Sequence, residues 1–231
     1  MLHAILRKRN ILIPSSRELR RGETQRSVQG ALTFQPKSGT YFNTVVVDFE
    51  SLYPSLIDSY NLSYETVDCN HPECADNRVP GLNHHVCKIR RGVYSILIGA
   101  LKDLRIRWFK PLSRDVSTPA EERHAAEVAS NLLKLVLVSS YGVTVRIHGL
   151  AQPALAESIT ACGRHALQES WHLAVSADLN PIYGDTDSLF LDNPTNEKID
   201  WLIKAVKEGL RLDLAVDKRY SVCVLPHAMK A

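Results

Sequence analysis

The stretch NPIYGDTDSLFLD, residues 180–192, sets two aspartates one residue apart between two apolar runs. IYGDTDSLFL reads as strand, two-residue turn, strand, which holds Asp185 and Asp187 in fixed directions at one end of a sheet. Aspartates at turns often bond their own backbone, and a lone DTD turn has that plain reading first. A second strand shifts the weight. In GALTFQPKSGTYFNTVVVDF, residues 30–49, a turn signal at 36–39 divides two strand-like runs, and the β-branched run 44–47 ends on Asp48. If the two strands are neighbours, three carboxylates converge. Crowded carboxylates raise one another's pKa, and a divalent cation relieves them; hard oxygen ligands suit Mg²⁺ or Mn²⁺.

After Asp48 the sequence FESLYPSLI turns strand into turn, and Pro54 limits how the backbone continues. Unpaired N–H groups at such a break, around Ser51 and Leu52, can cradle a triphosphate. Downstream, YSILIGALKDLRIRWFK, residues 94–110, has apolar residues at helical spacing. A second helix starts near Thr118-Pro119-Ala120-Glu121, a candidate capping box with proline at the first helical position, and runs on through Leu133 and Val136. The two form a helical hairpin. Further helices are predicted at 154–177 and 197–210, and a last strand at 212–216 or beyond, in a βαβ-like half.

The 231 residues fit one core with a smaller lobe, and 45% apolar with 23% charged residues is ordinary for a globular chain. The net charge of +3 is compatible with nucleic-acid binding. The polar 15–24 stretch reads as an exposed arm. No signal peptide or run of about 18 apolar residues is expected, so the reading is cytoplasmic, with no membrane partner. Five cysteines without secretory context argue against a disulfide framework.

DFESLYPSLI, residues 48–57, resembles the first polymerase signature of family B DNA polymerases; YGDTDS, residues 183–188, resembles the third; KLVLVSSYG, residues 134–142, resembles the second. LSYETV and the helix with LKDLRIR are most similar to archaeal members, and the likeness runs from about Gly30 to Tyr220. The resemblance implies an α/β (α+β) polymerase palm with an antiparallel sheet and packed helices, plus an α-helical fingers hairpin. It divides the chain into an arm or remnant at 1–29, a first palm part at 30–93 with a Cys/His insertion, fingers at 94–142 and a second palm part at 143–231.

It also implies template-directed DNA synthesis with two Mg²⁺ ions, for which Mn²⁺ can substitute. Asp48 and Asp187 would hold both ions, helped by the Phe49 carbonyl, with Asp185 a more indirect carboxylate. One ion would activate the primer 3′-hydroxyl and the other neutralise the leaving pyrophosphate. Arg105 and Lys134 would meet the triphosphate, Tyr53 would lie beneath the deoxyribose as the sugar filter, and Tyr141 would pack on the nascent base pair. The implied partners are primer-template DNA, deoxynucleoside triphosphates and a second polymerase chain with exonuclease and thumb parts, in a nucleoid-associated setting. There are departures. Val138 stands where the family usually has asparagine, and after VDKRYSV the chain ends in CVLPHAMKA rather than entering a thumb. A degenerate palm that only binds DNA or a partner protein is the alternative, and another two-metal nucleotidyl enzyme is a second.

The insertion VDCNHPECADNRVPGLNHHVC, residues 67–87, offers Cys69, His71, Cys74 and Cys87, with His84 and His85 nearby. Thiolate and imidazole at this spacing can close a tetrahedral Zn²⁺ site; reduced surface cysteines and solvated histidines are the other reading.

Overall fold

The computed structural model describes residues 2–8, 10, 29–146 and 152–226, so the predicted arm at 15–24 lies outside the described residues. The chain forms two compact units, one of residues 1–29 and 53–159, the other of 30–52 and 160–231.

The first unit is mostly helical: α1 (Leu2–Lys8), α2 (Leu52–Ser59, from its second residue), α3 (Val93–Asp103), α4 (Ala120–Arg146) and the first turns of α5 (Pro153–Ser176). Beyond Asp103 the helix continues as a π-helical stretch, Leu104–Phe109, and a last turn, Lys110–Leu112. The expected hairpin is present, since α3 and its continuation pack on α4. Tyr94 Oη donates to the Ser140 carbonyl at 2.6 Å and ties the two arms together. Helix α4 begins at Ala120, and the Pro119 carbonyl accepts from the Arg123 N–H, so proline precedes the first helical residue instead of occupying it.

One helix is more apolar than the sequence pattern suggests. Residues 128–145 carry Lys134 as their single charge and have a mean hydropathy of 1.4, so α4 over Ala120–Val145 is, by length and composition only, apolar enough to cross a membrane. The polar Ser130, Ser139 and Ser140 break up its pattern and hid the run from a search for uninterrupted apolar residues.

The start of α3 shows how the helical unit is joined. Its N-cap Gly92 has no side chain to offer, so the orphan N–H groups turn elsewhere: Val93 N–H donates to Glu65 Oε1 at 2.5 Å and Tyr94 N–H to Ser63 Oγ at 3.1 Å. Asp58, at the end of α2, binds Arg91 at 2.6 Å and Lys102 at 2.8 Å. Burial alone would raise the Asp58 carboxyl; the hydrogen bonds and charges of Lys102 and Arg91 outweigh it and hold the group below its ordinary value.

The second unit is built on a five-stranded antiparallel sheet of β1 (Thr33–Phe34), β2 (Gly39–Phe49), β3 (Asn180–Asp185), β4 (Ser188–Asp192) and β5 (Leu214–Leu225), in the order β1-β3-β4-β2-β5. With the rest of α5, helix α6 (Asn196–Leu210) completes it, burying Ile199, Leu202, Val206 and Leu210 at helical spacing. Thr195 caps α6 through the Lys198 N–H, and Arg211 ends it at φ 57°. The βαβ-like reading of β4-α6-β5 holds in split form: β5 lies parallel to β4, with β2 between them. Strand β5 is longer than the predicted 212–216 and carries a β-bulge. Val46 pairs with Lys218 and Val47 with Val216, which leaves Asp217 without an opposite residue.

Gly92, the N-cap of α3, and Gly209, within α6, should respond in opposite directions. A Cβ on Gly92 would lie 2.2 Å from Ser63 Cβ, so Gly92→Ala is expected to cost about 1–3 kcal/mol through overpacking. Gly209, within α6, has open space around it, and Gly209→Ala should gain about 0.5–1 kcal/mol from helix propensity. Thermal denaturation of both variants checks this; equal shifts would contradict it.

Candidate active site

The register of three strands brings the predicted carboxylates together. Asp48 on β2 and Asp185 on β3 both lie opposite Ser188, the first residue of β4, and the Thr186-Asp187 turn closes the β3-β4 hairpin. Thr186 adopts φ 54°, a left-handed conformation that a β-branched residue takes only under constraint. Its N–H donates to the Leu32 carbonyl at 2.9 Å. Two further main-chain bonds lock the turn: Phe49 N–H to the Asp187 carbonyl at 2.9 Å and Asp187 N–H to the Asp185 carbonyl at 2.5 Å.

The three carboxylates differ in company. Asp185 Oδ1 accepts from Thr33 Oγ1 at 2.8 Å and from Thr186 Oγ1 at 3.2 Å. Asp48 and Asp187 have no such hydroxyl partners among the described residues. Burial, then the charges of Asp187 and Asp217, push Asp48 up to about 7 against a partial counterpull from Lys218. Burial also raises Asp187, opposed by its own backbone N–H and assisted by Asp185. This is a set of hard oxygen donors with more negative charge than the adjacent protein neutralises, and it fits a divalent cation. Sequence reading missed Asp217 and Lys218 because the bulge that brings them to Asp48 depends on cross-strand register, for which VDKRYSV gives no signal.

The other predicted residues are placed as follows. Ser51, at φ 56°, ends the turn after β2, and the buried Leu52 opens α2. Within the helical unit, the rings of Tyr53 and Tyr141 meet at a centroid distance of 5.0 Å and an angle of 42°. Lys134 is exposed on α4, and one turn later Val138 is 69% exposed. Arg105 sits in the π-helical stretch with a buried Nε that has no partner among the described residues. Such stretches recur at functional sites, and no residue pattern in LKDLRIR announces one.

In the helical unit Cys69, His71, Cys74 and Cys87 bring their donor atoms within 4.8 Å of one another. His84 and His85 lie apart from them, His84 Nδ1 pairing with Asp68 at 2.6 Å. For Cys87, burial raises the thiol, but N–H groups of Arg90 and Ile89 bonded to the sulfur, with Cys69 and His71, bring it down to about 7.

Known proteins resemble this chain over most of its length. The model of the family described as DNA polymerase family B matches residues 1–220. DNA polymerase 1 of Sulfolobus acidocaldarius is 38% identical over 227 residues, covering 93% of this chain and 26% of that protein. The DNA polymerase alpha catalytic subunit of Leishmania donovani is 36% identical over 221 residues, covering 86% of this chain and 16% of that protein. The solved structure of the family B DNA polymerase from Pyrobaculum calidifontis superposes on 100% of this chain and 30% of its own length, with a TM-score of 0.74 and 26% identity. The chain thus spans about a quarter of the length of the archaeal curated relative.

The raised carboxyl of Asp48 has a stability consequence. An acid whose folded-state pKa is raised contributes stability that is present below its ordinary value of 3.8 and lost as pH climbs through about 7. Without divalent cations, Asp48→Asn should therefore raise the melting temperature over wild type at about pH 8 by a few degrees, and by much less at about pH 5. Added Mg²⁺ should stabilise wild type at the higher pH and leave the variant nearly unmoved. The same Tm difference at both pH values would contradict the charge argument.

Proposed function

The chain belongs to DNA polymerase family B, and from that membership we propose that it carries the nucleotidyl-transfer centre of a template-directed DNA polymerase. The substrates are deoxynucleoside triphosphates and a primer-template, in DNA replication or repair. The observation that supports this most is the meeting of Asp48 with the Asp185-Thr186-Asp187 turn at one end of the sheet. The sheet unit is the proposed palm, residues 94–142 the fingers.

Asp48 and Asp187, with the Phe49 carbonyl, are the proposed ligands of two Mg²⁺ ions, which when bound supply activation of the primer hydroxyl and neutralisation of the leaving pyrophosphate. Asp185, held by Thr33 and Thr186, keeps the turn in position and adds negative charge beside Asp187. Lys134 and Arg105 are proposed to neutralise triphosphate oxygens, as point charge and guanidinium fork. Ser51 and Leu52 offer backbone N–H groups at the break after β2. Tyr53 excludes a 2′-hydroxyl by bulk, and Tyr141, in tilted contact with it, supports the ring and packs on the nascent base pair. A second polymerase chain with exonuclease and thumb parts is a proposed partner.

Val138 favours a second reading, a palm that binds DNA or a partner without chemistry. An exposed valine one turn beyond Lys134 offers no hydrogen bond where a polar side chain would. Metal-dependent primer extension by this chain decides between the two readings.

Asp48→Asn or Asp187→Asn should lower extension on the order of 10³-fold or more with the fold retained, and Asp185→Asn should lower it less. Activity within a few-fold of wild type for Asp187→Asn would sink the assignment. Tyr53→Ala should raise the ratio of ribo- to deoxyribonucleotide kcat/KM by about tenfold or more, since removing the ring removes the clash. An unchanged ratio would leave Tyr53 as packing alone.

A further inference from the structure

The connection from α2 to α3, residues 60–92, has little regular structure: a 3₁₀ turn at Pro72–Cys74 and isolated bridges of Val67 with Val86 and of Arg78 with His85. Connections of this length without elements of their own are uncommon in compact folds. Its buried apolar side chains are few, Leu62, Val67, Val79 and Val86, and they are joined in the interior by Cys74 and Cys87. So small a core does not by itself explain why the segment holds one shape.

The sulfurs of this segment are surrounded by amide donors. The His71 N–H donates to Cys69, the Lys88 N–H to Cys74 Sγ at 3.3 Å, and the Ile89 and Arg90 N–H groups to Cys87. Amides pointed at sulfur stabilise a thiolate, the form that ligates metal. His71 Nδ1 lies 3.5 Å from Cys87 Sγ. An outer layer supports the cluster: His85 Nε2 pairs with the Cys69 carbonyl at 2.9 Å, and Asn61 Nδ2 donates to the Cys87 and Arg90 carbonyls at 3.0 and 2.8 Å.

We infer that Cys69, His71, Cys74 and Cys87 bind one Zn²⁺ ion in a closed tetrahedral site that fixes the segment between α2 and α3. Ligand type points to zinc, because three sulfurs and an imidazole are soft or borderline donors that Mg²⁺ does not favour. Spacing agrees. A Zn–S distance of about 2.3 Å sets tetrahedral donors roughly 3.8 Å apart, so atoms already within 4.8 Å of one another close on the ion with small side-chain movements. Four protein ligands leave no position for substrate, which makes the site structural. The ion joins Cys69, His71 and Cys74 to Cys87 across the loop.

The test is the metal content of the chain purified without chelator, read beside its intact mass. About one equivalent of zinc per chain is expected, and Cys87→Ser should lose it, while Cys223→Ser, on β5 outside the cluster, should keep it. Because Cys87 is buried and its replacement risks misfolding, the half-exposed His71 gives a second pair: His71→Ala loses zinc and His71→Cys restores it. Co²⁺ in place of zinc should show the visible absorption of a tetrahedral thiolate site, and a chelator should speed proteolysis within residues 60–92. A zinc-free wild-type chain, zinc retained by His71→Ala, or a mass lower by two hydrogens from a disulfide would each overturn the site. None of these readouts is DNA synthesis, so the result stands apart from the fate of the polymerase reading.

Discussion

The register of β2 against β4 is the constraint on which the sheet unit depends. Val45 faces Leu191 and Val47 faces Leu189, all buried, and the same pairing sets Asp48 opposite Ser188. A one-residue slip would break these buried cross-strand pairs and move Asp48 away from the turn, so the pairing that builds the sheet also fixes the carboxylates. The Phe49 N–H on the Asp187 carbonyl locks that register at its charged end. Repulsion between Asp48 and Asp187 is thus held in place by apolar burial on neighbouring residues of the same strands, the usual way a fold retains an unfavourable arrangement.

Much of this was legible in the chain. The alternation of NPIYGDTDSLFLD specified a hairpin, TVVV specified a strand, and the helices at 94–110, 154–177 and 197–210 came out within a few residues of their observed limits. What escaped is non-local. The bulge at Asp217 depends on β5 pairing with a distant strand, and the π-helical stretch at Leu104–Phe109 differs from an α-helix by hydrogen-bond partners that residue spacing does not encode. The capping pattern at Thr118 misjudged the first residue of α4 because Pro119 takes up its position just before the helix.

The Cys/His segment shows the same division between local and non-local signal. Six candidate ligands stand in residues 67–87, and spacing alone does not say which four converge. The Asp68 carboxylate pairs with both His84, at 2.6 Å, and His85, at 3.5 Å, and competes with the sulfurs for them. Asp68 itself sits at φ 54°, a backbone state that aspartate tolerates better than most residues. A ligand set chosen by a competing carboxylate cannot be deduced from a count of cysteines and histidines.

The two clusters also differ in the kind of cation that each would accept. The sheet unit offers carboxylate oxygens, half-buried and burdened with their own repulsion, which suit a small hard cation that retains water. The helical unit offers sulfur and imidazole with amides pointed at the thiolates, a set that gains little from such a cation. Sorting by affinity alone would fail, because zinc outcompetes magnesium at most donor sets. Geometry supplies the rest: a tetrahedral set that closes leaves its ion no reason to leave, while an open carboxylate edge binds weakly until another group completes it. The exchangeable metal proposed at the sheet and the permanent one proposed in the helical unit would thus follow from donor number and softness.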